Sequence, residues 1–250
     1  MSKSTDYLLV SDLDNTLLGD DAALERFRTW YGGDHPSMDI VYCSGRFFPS
    51  IKNLVETGVL PTPRAVIGAV GTNIHAFPSG ETMREWHEHI GSRWDARTVR
   101  RLMDDQPGFE LQPDEFQSPY KVSYYFHDAT EDDLRSFARK IEESGLAAQI
   151  IYSSSQDLDF LPERADKGKA ATFLTRRWGY DSGEVIVSGD SGNDLALFRH
   201  GFRGIIVANA KQELKGVTGD SIYHADSPYA AGVLEGIHFW LERAETDASG

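Results

Sequence analysis

Residues 7–10 form a short run of apolar side chains, Tyr7-Leu8-Leu9-Val10, that stops at Ser11 and Asp12. A run this short, without polar alternation, predicts a strand buried on both faces. Residues 22–31 then carry Leu24, Phe27 and Tyr31 on one helical face. A second buried strand is predicted over 40–43, stopping at Ser44-Gly45-Arg46, and a helix with Ile51, Leu54 and Val55 facing inward comes next. Residues 65–70 read as a third strand, ending at Gly71-Thr72-Asn73. Strands alternating with helices predict right-handed βαβ units and a parallel sheet.

The pattern changes near Thr82. A helix carrying Trp94, Val99, Leu102 and Met103 is predicted first, then a strand over 122–126. Residues 130–145 read as a capped helix: Thr130 begins it, Asp133 sits three residues on, and Leu134, Phe137 and Ile141 share a face. Strands over 149–152 and 158–161 follow, and Pro162 ends the block. This stretch is α+β in character, a sheet with helices on one side. The first pattern then resumes, with a helix over 167–178 and a strand over 185–187 that stops at Ser188-Gly189-Asp190. A helix near Asn193, a strand over 204–207, a helix over 230–243 and a polar, frayed tail over 245–250 complete the chain. The expected organisation is an α/β core split into residues 1–82 and 163–250, with an α+β unit, 83–162, inserted between them.

Composition narrows the function without naming it. Of the 250 residues, 39 are acidic and 25 are Lys or Arg, so the net charge is −14. That balance argues against broad binding to a nucleic-acid backbone or an anionic membrane surface. The single cysteine, Cys43, excludes an intramolecular disulfide. No apolar stretch is long enough to cross a bilayer, and the polar start, Met1 to Asp6, does not lead into a signal-like segment. The expectation is a cytoplasmic protein, monomeric, with no nucleic-acid or membrane partner.

In an open parallel sheet, ligands sit at the carboxyl ends of the strands. Three predicted strands end in polar clusters: Asp12-Leu13-Asp14-Asn15-Thr16, Ser44-Gly45-Arg46, and Gly189-Asp190-Ser191-Gly192-Asn193-Asp194. Lys167 opens a helix that follows the insert. Each has an ordinary explanation: Asp-x-Asp and the glycine-rich runs as turns or caps, Lys167 as a solvated surface cation. Their joint occurrence points elsewhere. Carboxylates from separate segments suit a hard divalent cation, and phosphate oxygens can complete its octahedron.

The order of these segments resembles the four motifs of the haloacid dehalogenase superfamily, with the insert placed like that superfamily's C2-type cap. Further runs are similar to the sucrose-phosphate phosphatase family. They are Leu9-Val10-Ser11-Asp12-Leu13-Asp14-Asn15-Thr16, Ala69-Val70-Gly71-Thr72-Asn73-Ile74, Tyr120-Lys121-Val122-Ser123-Tyr124, Asp157-Leu158-Asp159-Phe160-Leu161-Pro162 and Lys167-Gly168-Lys169-Ala170. Asn15 stands where glycine is common across the superfamily.

The resemblance implies a Rossmann-like parallel-sheet core and a Mg2+-dependent phosphatase acting on a sugar phosphate, sucrose 6-phosphate above all. It implies Asp12 as nucleophile, Asp14 as general acid and base, Ser44 as a donor to a phosphoryl oxygen, and Lys167 as the group that offsets negative charge. The metal would take the Asp12 carboxylate, the Asp14 backbone carbonyl and Asp190, with Asp194 in support. Substrate-binding candidates are Gly45, Arg46, Thr72, Asn73 and Asn193 from the core, and Lys121, Asp157 and Asp159 from the cap. The aromatics Tyr120, Tyr124, Tyr125 and Phe126 are expected to fill the cap's interior. A sugar-phosphate synthase is the expected partner. Alternatives are a related substrate such as mannosylfructose phosphate, a phosphomannomutase-like phosphotransferase, and a non-enzymatic phosphoacceptor or binding module.

Overall fold

The computed structural model describes residues 5–33, 37–104 and 106–248. The chain opens with β1 (Tyr7–Ser11), α1 (Asp21–Tyr31), β2 (Met38–Cys43), α2 (Phe48–Glu56), β3 (Ala65–Gly68), β4 (Asn73–Ala76) and α3 (Arg84–Ile90). Next come α4 (Ala96–Met103), β5 (Glu110–Leu111), β6 (Val122–Tyr125), α5 (Glu131–Glu143), β7 (Ala148–Ser153) and β8 (Asp157–Pro162). The last part holds α6 (Lys167–Trp178), β9 (Val185–Gly189), β10 (Arg203–Ile206), α7 (Gln212–Lys215), β11 (Ile222–His224) and α8 (Tyr229–Ala248). Of the polar ends, residues 1–4 and 249–250 lie outside the described residues. Among the described residues, no helix is long and apolar enough to cross a membrane.

Seven strands form the first sheet in the order β11-β10-β9-β1-β2-β3-β4. All pair in parallel except β4, which runs antiparallel to β3. β1 lies at the centre, with Leu8, Leu9 and Val10 fully buried, as a strand covered on both faces requires. The register sets Ser11 opposite both Tyr42 and Ser188, so β1, β2 and β9 end side by side. The polar segments after these three strands therefore share one edge.

A second, antiparallel sheet has the order β5-β6-β8-β7. Alternation along its strands divides the labour. Val122, Tyr124, Leu158 and Phe160 pack with Val99 and Met103 of α4 and Phe137 and Ile141 of α5. Ser123 lies opposite Asp159 in the register, and Tyr125 opposite Asp157, on the other face. The capping box anticipated at Thr130 and Asp133 is formed, and the helix it begins packs as its apolar face predicts. Trp86 and Ile90 of α3 join the first hydrophobic core instead, although α3 follows Thr82.

Some elements differ from the pattern reading. The run 65–70 is not one strand. The chain leaves the sheet after Gly68 and turns through Ala69 (φ 50), Val70 (φ 58) and Gly71 (φ 93) before returning as β4. Hydropathy cannot register this reversal, because Ala69 and Val70 are as buried as the strand before them. Left-handed Val is costly and persists only where neighbours hold it. Here Ala69 N donates to Arg46 O (2.9 Å) and Val70 N to Ser44 O (3.1 Å), tying the turn to the loop after β2. No α-helix begins at Asn193; two 3-10 turns, Gly192–Asp194 and Leu197–Arg199, stand there. The Asp194 carboxylate accepts from the backbone N–H groups of Asp190 and Ser191, an alternative to helical bonding. β11 and β5 are short and little buried, so no apolar run announced them.

Gly71 makes the closest backbone approach in this region. A Cβ there would lie 2.3 Å from the Asp166 carbonyl carbon and 2.6 Å from Lys167 N. We expect Gly71→Ala to lower unfolding free energy by about 2–4 kcal/mol. Gly145→Ala has a similar positive φ with nothing within 4 Å, and should lose about 1–2 kcal/mol. Urea unfolding of the two variants measures the difference.

Candidate active site

Asp12 is the first residue beyond β1, and its N–H donates to Ser188 O of β9 (3.1 Å). Lys167 begins α6, whose N-cap Asp166 accepts from Lys169 N (2.7 Å). The Lys167 side chain is completely buried. Its Nζ donates to Asp12 Oδ1 and to Asp194 Oδ1, both at 2.6 Å. Asp194 is thereby fully used, since its other oxygen accepts from Asp190 N (2.9 Å) and Ser191 N (3.2 Å). Carboxylate oxygens of Asp12, Asp190 and Asp194 all lie within 4.8 Å of one another.

Three buried carboxylates face one ammonium, and two of them, Asp12 and Asp190, are shifted in their protonation. Burial pushes the Asp12 carboxyl up from 3.8 to about 8; Lys167 opposes that shift and Asp194 adds to it. Asp190 rises to about 7, again through burial first and Asp194 second. Burial works against the Lys167 ammonium, but Asp12 and Asp194 hold its pKa above the usual lysine value. Hard oxygen donors in a buried cluster short of positive charge suit a divalent cation, which would replace the protons the cluster otherwise holds.

A cavity of about 310 Å³ opens over this cluster, between the two sheets. From the first sheet it is lined by Asp12, Asp14, Ser44, Gly45, Arg46, Asp190 and Asn193. Ser44 is buried, and its Oγ accepts from Arg46 N (3.2 Å), which leaves its hydroxyl proton for another acceptor. Arg46 grips Asp14 with a two-pronged fork, Nε to Oδ2 at 2.8 Å and Nη2 to Oδ1 at 2.7 Å. Lys167 and Asp194 stand behind the wall rather than on it.

The second sheet supplies Lys121, Asp157 and Asp159 to the same cavity. Lys121 Nζ lies 3.1 Å from Asp159 Oδ1, and both side chains are buried. Ser123 Oγ donates to that oxygen as well (2.6 Å). Asp157 accepts from Gln112 Nε2 (3.0 Å), and burial followed by the Asp159 charge pushes its carboxyl pKa up. Thr72 and Asn73, expected at the site, do not line the cavity. Thr72 is fully buried and its hydroxyl donates to Ala69 O (2.9 Å), while Asn73 Oδ1 lies 3.0 Å from His87 Nε2. The turn at Ala69–Gly71 carries the chain away there, and Val70 reaches the wall in their place.

Several lining residues were not among the expected substrate-binding ones: Asn15, Gln112, Phe116, Ser154 and Gln156, and Tyr125, which was expected in the interior and instead faces the cavity. Tyr125 could have been found from alternation, since it lies two residues from Ser123, opposite Asp157. Its neighbour Tyr124 fills the interior as expected, donating its hydroxyl to Asp104 Oδ1 (2.5 Å). Tyr120 stacks on His87, with ring centres 4.6 Å apart. Ser154 sits in a β-turn with Ser155, both at positive φ (55 and 56), where glycine or asparagine is the usual signal. Gln112 follows the short strand β5 and Phe116 ends a single 3-10 turn, Asp114–Phe116, both too short for any periodicity to mark.

Comparison with known proteins adds to this geometry. The family model for sucrose-6F-phosphate phosphohydrolase matches residues 5–241. Mannosylfructose-phosphate phosphatase of Agrobacterium fabrum is 35% identical over 238 residues, covering 93% of this chain and 96% of that protein. Sucrose-phosphatase 1 of Nicotiana tabacum is 32% identical over 258 residues; the match covers 96% of this chain but spans only 61% of the tobacco protein. The crystal structure of the sucrose-phosphatase from Synechocystis sp. PCC6803, in complex with sucrose and phosphate, superposes with a TM-score of 0.88 at 31% identity, over 95% of this chain and 98% of that one. With its Asp-x-Asp loop, buried lysine and acidic cluster converging on one sheet edge, the chain belongs to the sucrose-6F-phosphate phosphohydrolase family of the haloacid dehalogenase superfamily.

Proposed function

We propose that the chain is a Mg2+-dependent phosphatase that cleaves a disaccharide phosphate, sucrose 6-phosphate first among them, through an aspartyl-phosphate on Asp12. The observation that carries this reading is a single cavity with Asp12 and Asp190, backed by Lys167, on one wall and the polar Lys121–Asp159 and Asp157 face on the other. The first wall suits a phosphoryl group, the second a set of sugar hydroxyls. Residues 83–162 act as the cap over a core of 1–82 and 163–250, with α3 leaning on the core. The protein works in the cytoplasm as a monomer, and a sugar-phosphate synthase supplies its substrate.

The Asp12 carboxylate and the Asp14 backbone carbonyl would hold the magnesium ion with Asp190, and Asp194 would support them. When bound, the ion lowers the repulsion between two anions that must react. Asp12 attacks phosphorus in line, and the bond to the leaving sugar oxygen breaks as the new acyl phosphate forms. Asp14 protonates that oxygen, then takes a proton from the water that hydrolyses the acyl phosphate. For this, Asp14 must first be freed from the Arg46 fork. Both partners are partly exposed, so water or the entering substrate can reach the fork and take over Arg46. Ser44 donates to a phosphoryl oxygen, and Lys167 balances the charge that develops on the nucleophile and the transferring group.

Asp12→Asn should lower phosphate release from sucrose 6-phosphate by at least about 10³-fold while circular dichroism stays unchanged. Retention of near-normal release would overturn the assignment of the nucleophile. Asp14→Asn should cost far more with sucrose 6-phosphate than with an aryl phosphate, whose leaving group needs little protonation. A panel that includes mannosylfructose phosphate measures the choice of sugar.

The protonation of the cluster yields a further expectation. Asp12 and Asp190 bind protons more tightly in the folded than in the unfolded chain, so their stabilising contribution is fully present below about pH 4. It is lost as pH rises towards their folded values of about 8 and 7. Melting temperature in chelator should therefore fall across pH 5–8. Magnesium chloride should raise it more at pH 8 than at pH 5, because fewer protons then compete for the carboxylates. Equal magnesium shifts at both values would contradict binding at this cluster.

A further inference from the structure

The loop from Asp12 to Asp20 carries both carboxylates of the Asp-x-Asp pair, yet it is held in an unfavourable conformation. Asn15 sits at φ 61, in the left-handed region. The loop curls on itself as Leu13 O accepts from the N–H groups of Thr16 (3.2 Å), Leu17 (3.0 Å) and Leu18 (2.8 Å). Its far end, Gly19 (φ +126), lies so close to the Tyr229 ring that a Cβ would be 2.5 Å from Cε1. Besides Lys167 and Arg46, which bond the loop's carboxylates, a side chain from outside the loop holds its backbone. Asn209, three residues beyond β10, donates from Nδ2 to Asn15 O at 2.7 Å. Its Oδ1 accepts from Tyr229 N, the first N–H of α8, at 2.9 Å. The amide is thus fixed at one end by a helix start and fixes the loop with the other.

We infer that Asn209 is a positioning residue for the nucleophile loop, acting through the Asn15 carbonyl. The Asn15 carbonyl belongs to the Asn15–Thr16 peptide plane. With that plane pinned and Asn15 confined near φ 61, the preceding plane, which carries the Asp14 carbonyl, is set as well. That carbonyl is a metal ligand in the proposed reading, on which the activity arm of this inference rests. The Asp14 side chain leaves the same backbone, so its aim at the leaving oxygen depends on the same anchor. None of the sequence motifs includes Asn209, and its partly exposed side chain lies outside the residues that line the cavity.

Two substitutions separate the anchor from the helix cap. Asn209→Asp keeps an oxygen for Tyr229 N but loses the donor to Asn15 O; Asn209→Ala loses both. The inference expects both variants to lower kcat for sucrose 6-phosphate by about 10- to 100-fold, with KM changed much less. It expects N209D to melt like the parent, while amide hydrogen exchange speeds up at residues 13–18 and Mg2+ affinity by calorimetry weakens in both. A kcat loss in N209A alone, tracking lower melting, would make Asn209 only a cap and overturn the inference. So would a kcat loss in N209D with loop exchange unchanged, which would reduce the effect to added charge. If the parent releases no phosphate from any sugar phosphate, the proposed function has failed. Loop exchange and Mg2+ affinity then decide the anchor alone, and no change in either overturns it.

Discussion

The arrangement of this protein's site depends on one buried ammonium. Lys167 has no exposed side-chain surface and spends its charge on two carboxylates, Asp12 and Asp194, each 2.6 Å away. A lone buried cation would deprotonate or force the structure open, and a lone buried carboxylate would take a proton. Lys167 and the two acids therefore depend on one another, and they do so only in a fixed geometry. That geometry makes demands on distant parts of the chain. β1 must end where β9 ends, α6 must begin beneath them, and the turn at Gly71 must lie against Asp166 with no side chain between. Removal of Lys167 would leave two acids buried without a cation, the situation in which breaking an ion pair costs most.

The same interaction leaves a deficit that shapes the chemistry. Asp194 is saturated by Lys167 and two backbone N–H groups, whereas Asp12 keeps an oxygen for the cavity and Asp190 faces it directly. One cation among three acids is not enough. Burial first, and the Asp194 charge after it, raise the protonation values of Asp12 and Asp190, and the cluster suits a second, external cation. Lys167 thus orients Asp12 without neutralising the site, and its ammonium lies behind the cavity wall, where it does not occupy the space a metal ion would take.

Much of this was readable in the amino-acid sequence, and the reasons for the rest are physical. Strands β1, β2 and β9 announce themselves because burial on both faces leaves no polar alternation, and the clusters after them are dense in Asp, Ser and Gly. The Thr130–Asp133 cap was legible because capping is local. The reversal at Ala69–Gly71 was not, since buried Ala and Val look alike in a strand and in a left-handed turn. Thr72 and Asn73 fell from the cavity with that reversal. Asn209 was invisible for another reason: its partners, Asn15 and Tyr229, are 194 and 20 residues away, and a single Asn after a strand reads as a turn. Sequence patterns report which residues are buried and which cap their own elements. They do not report a hydrogen bond that joins two loops across the sheet.

The two walls of the cavity differ in how freely they can vary. In the buried acidic cluster Lys167 ties Asp12 to Asp194, so substitution at Asp12, Lys167 or Asp194 disturbs all three. The facing sheet is looser. Asp157 is held through one oxygen by Gln112, and Tyr125, Ser154 and Gln156 add polar atoms from a strand end and a turn. Their hydrophobic counterparts, Leu158 and Phe160, point to the opposite side and are packed by α4 and α5. Alternation along β8 therefore lets the cavity-facing positions change while the interior behind them stays intact. Such a construction lets one wall of the cavity vary while the other is kept. The names of the chain's relatives fit that division: proteins similar over nearly the whole of this chain are called a sucrose-phosphatase in one case and a mannosylfructose-phosphate phosphatase in another.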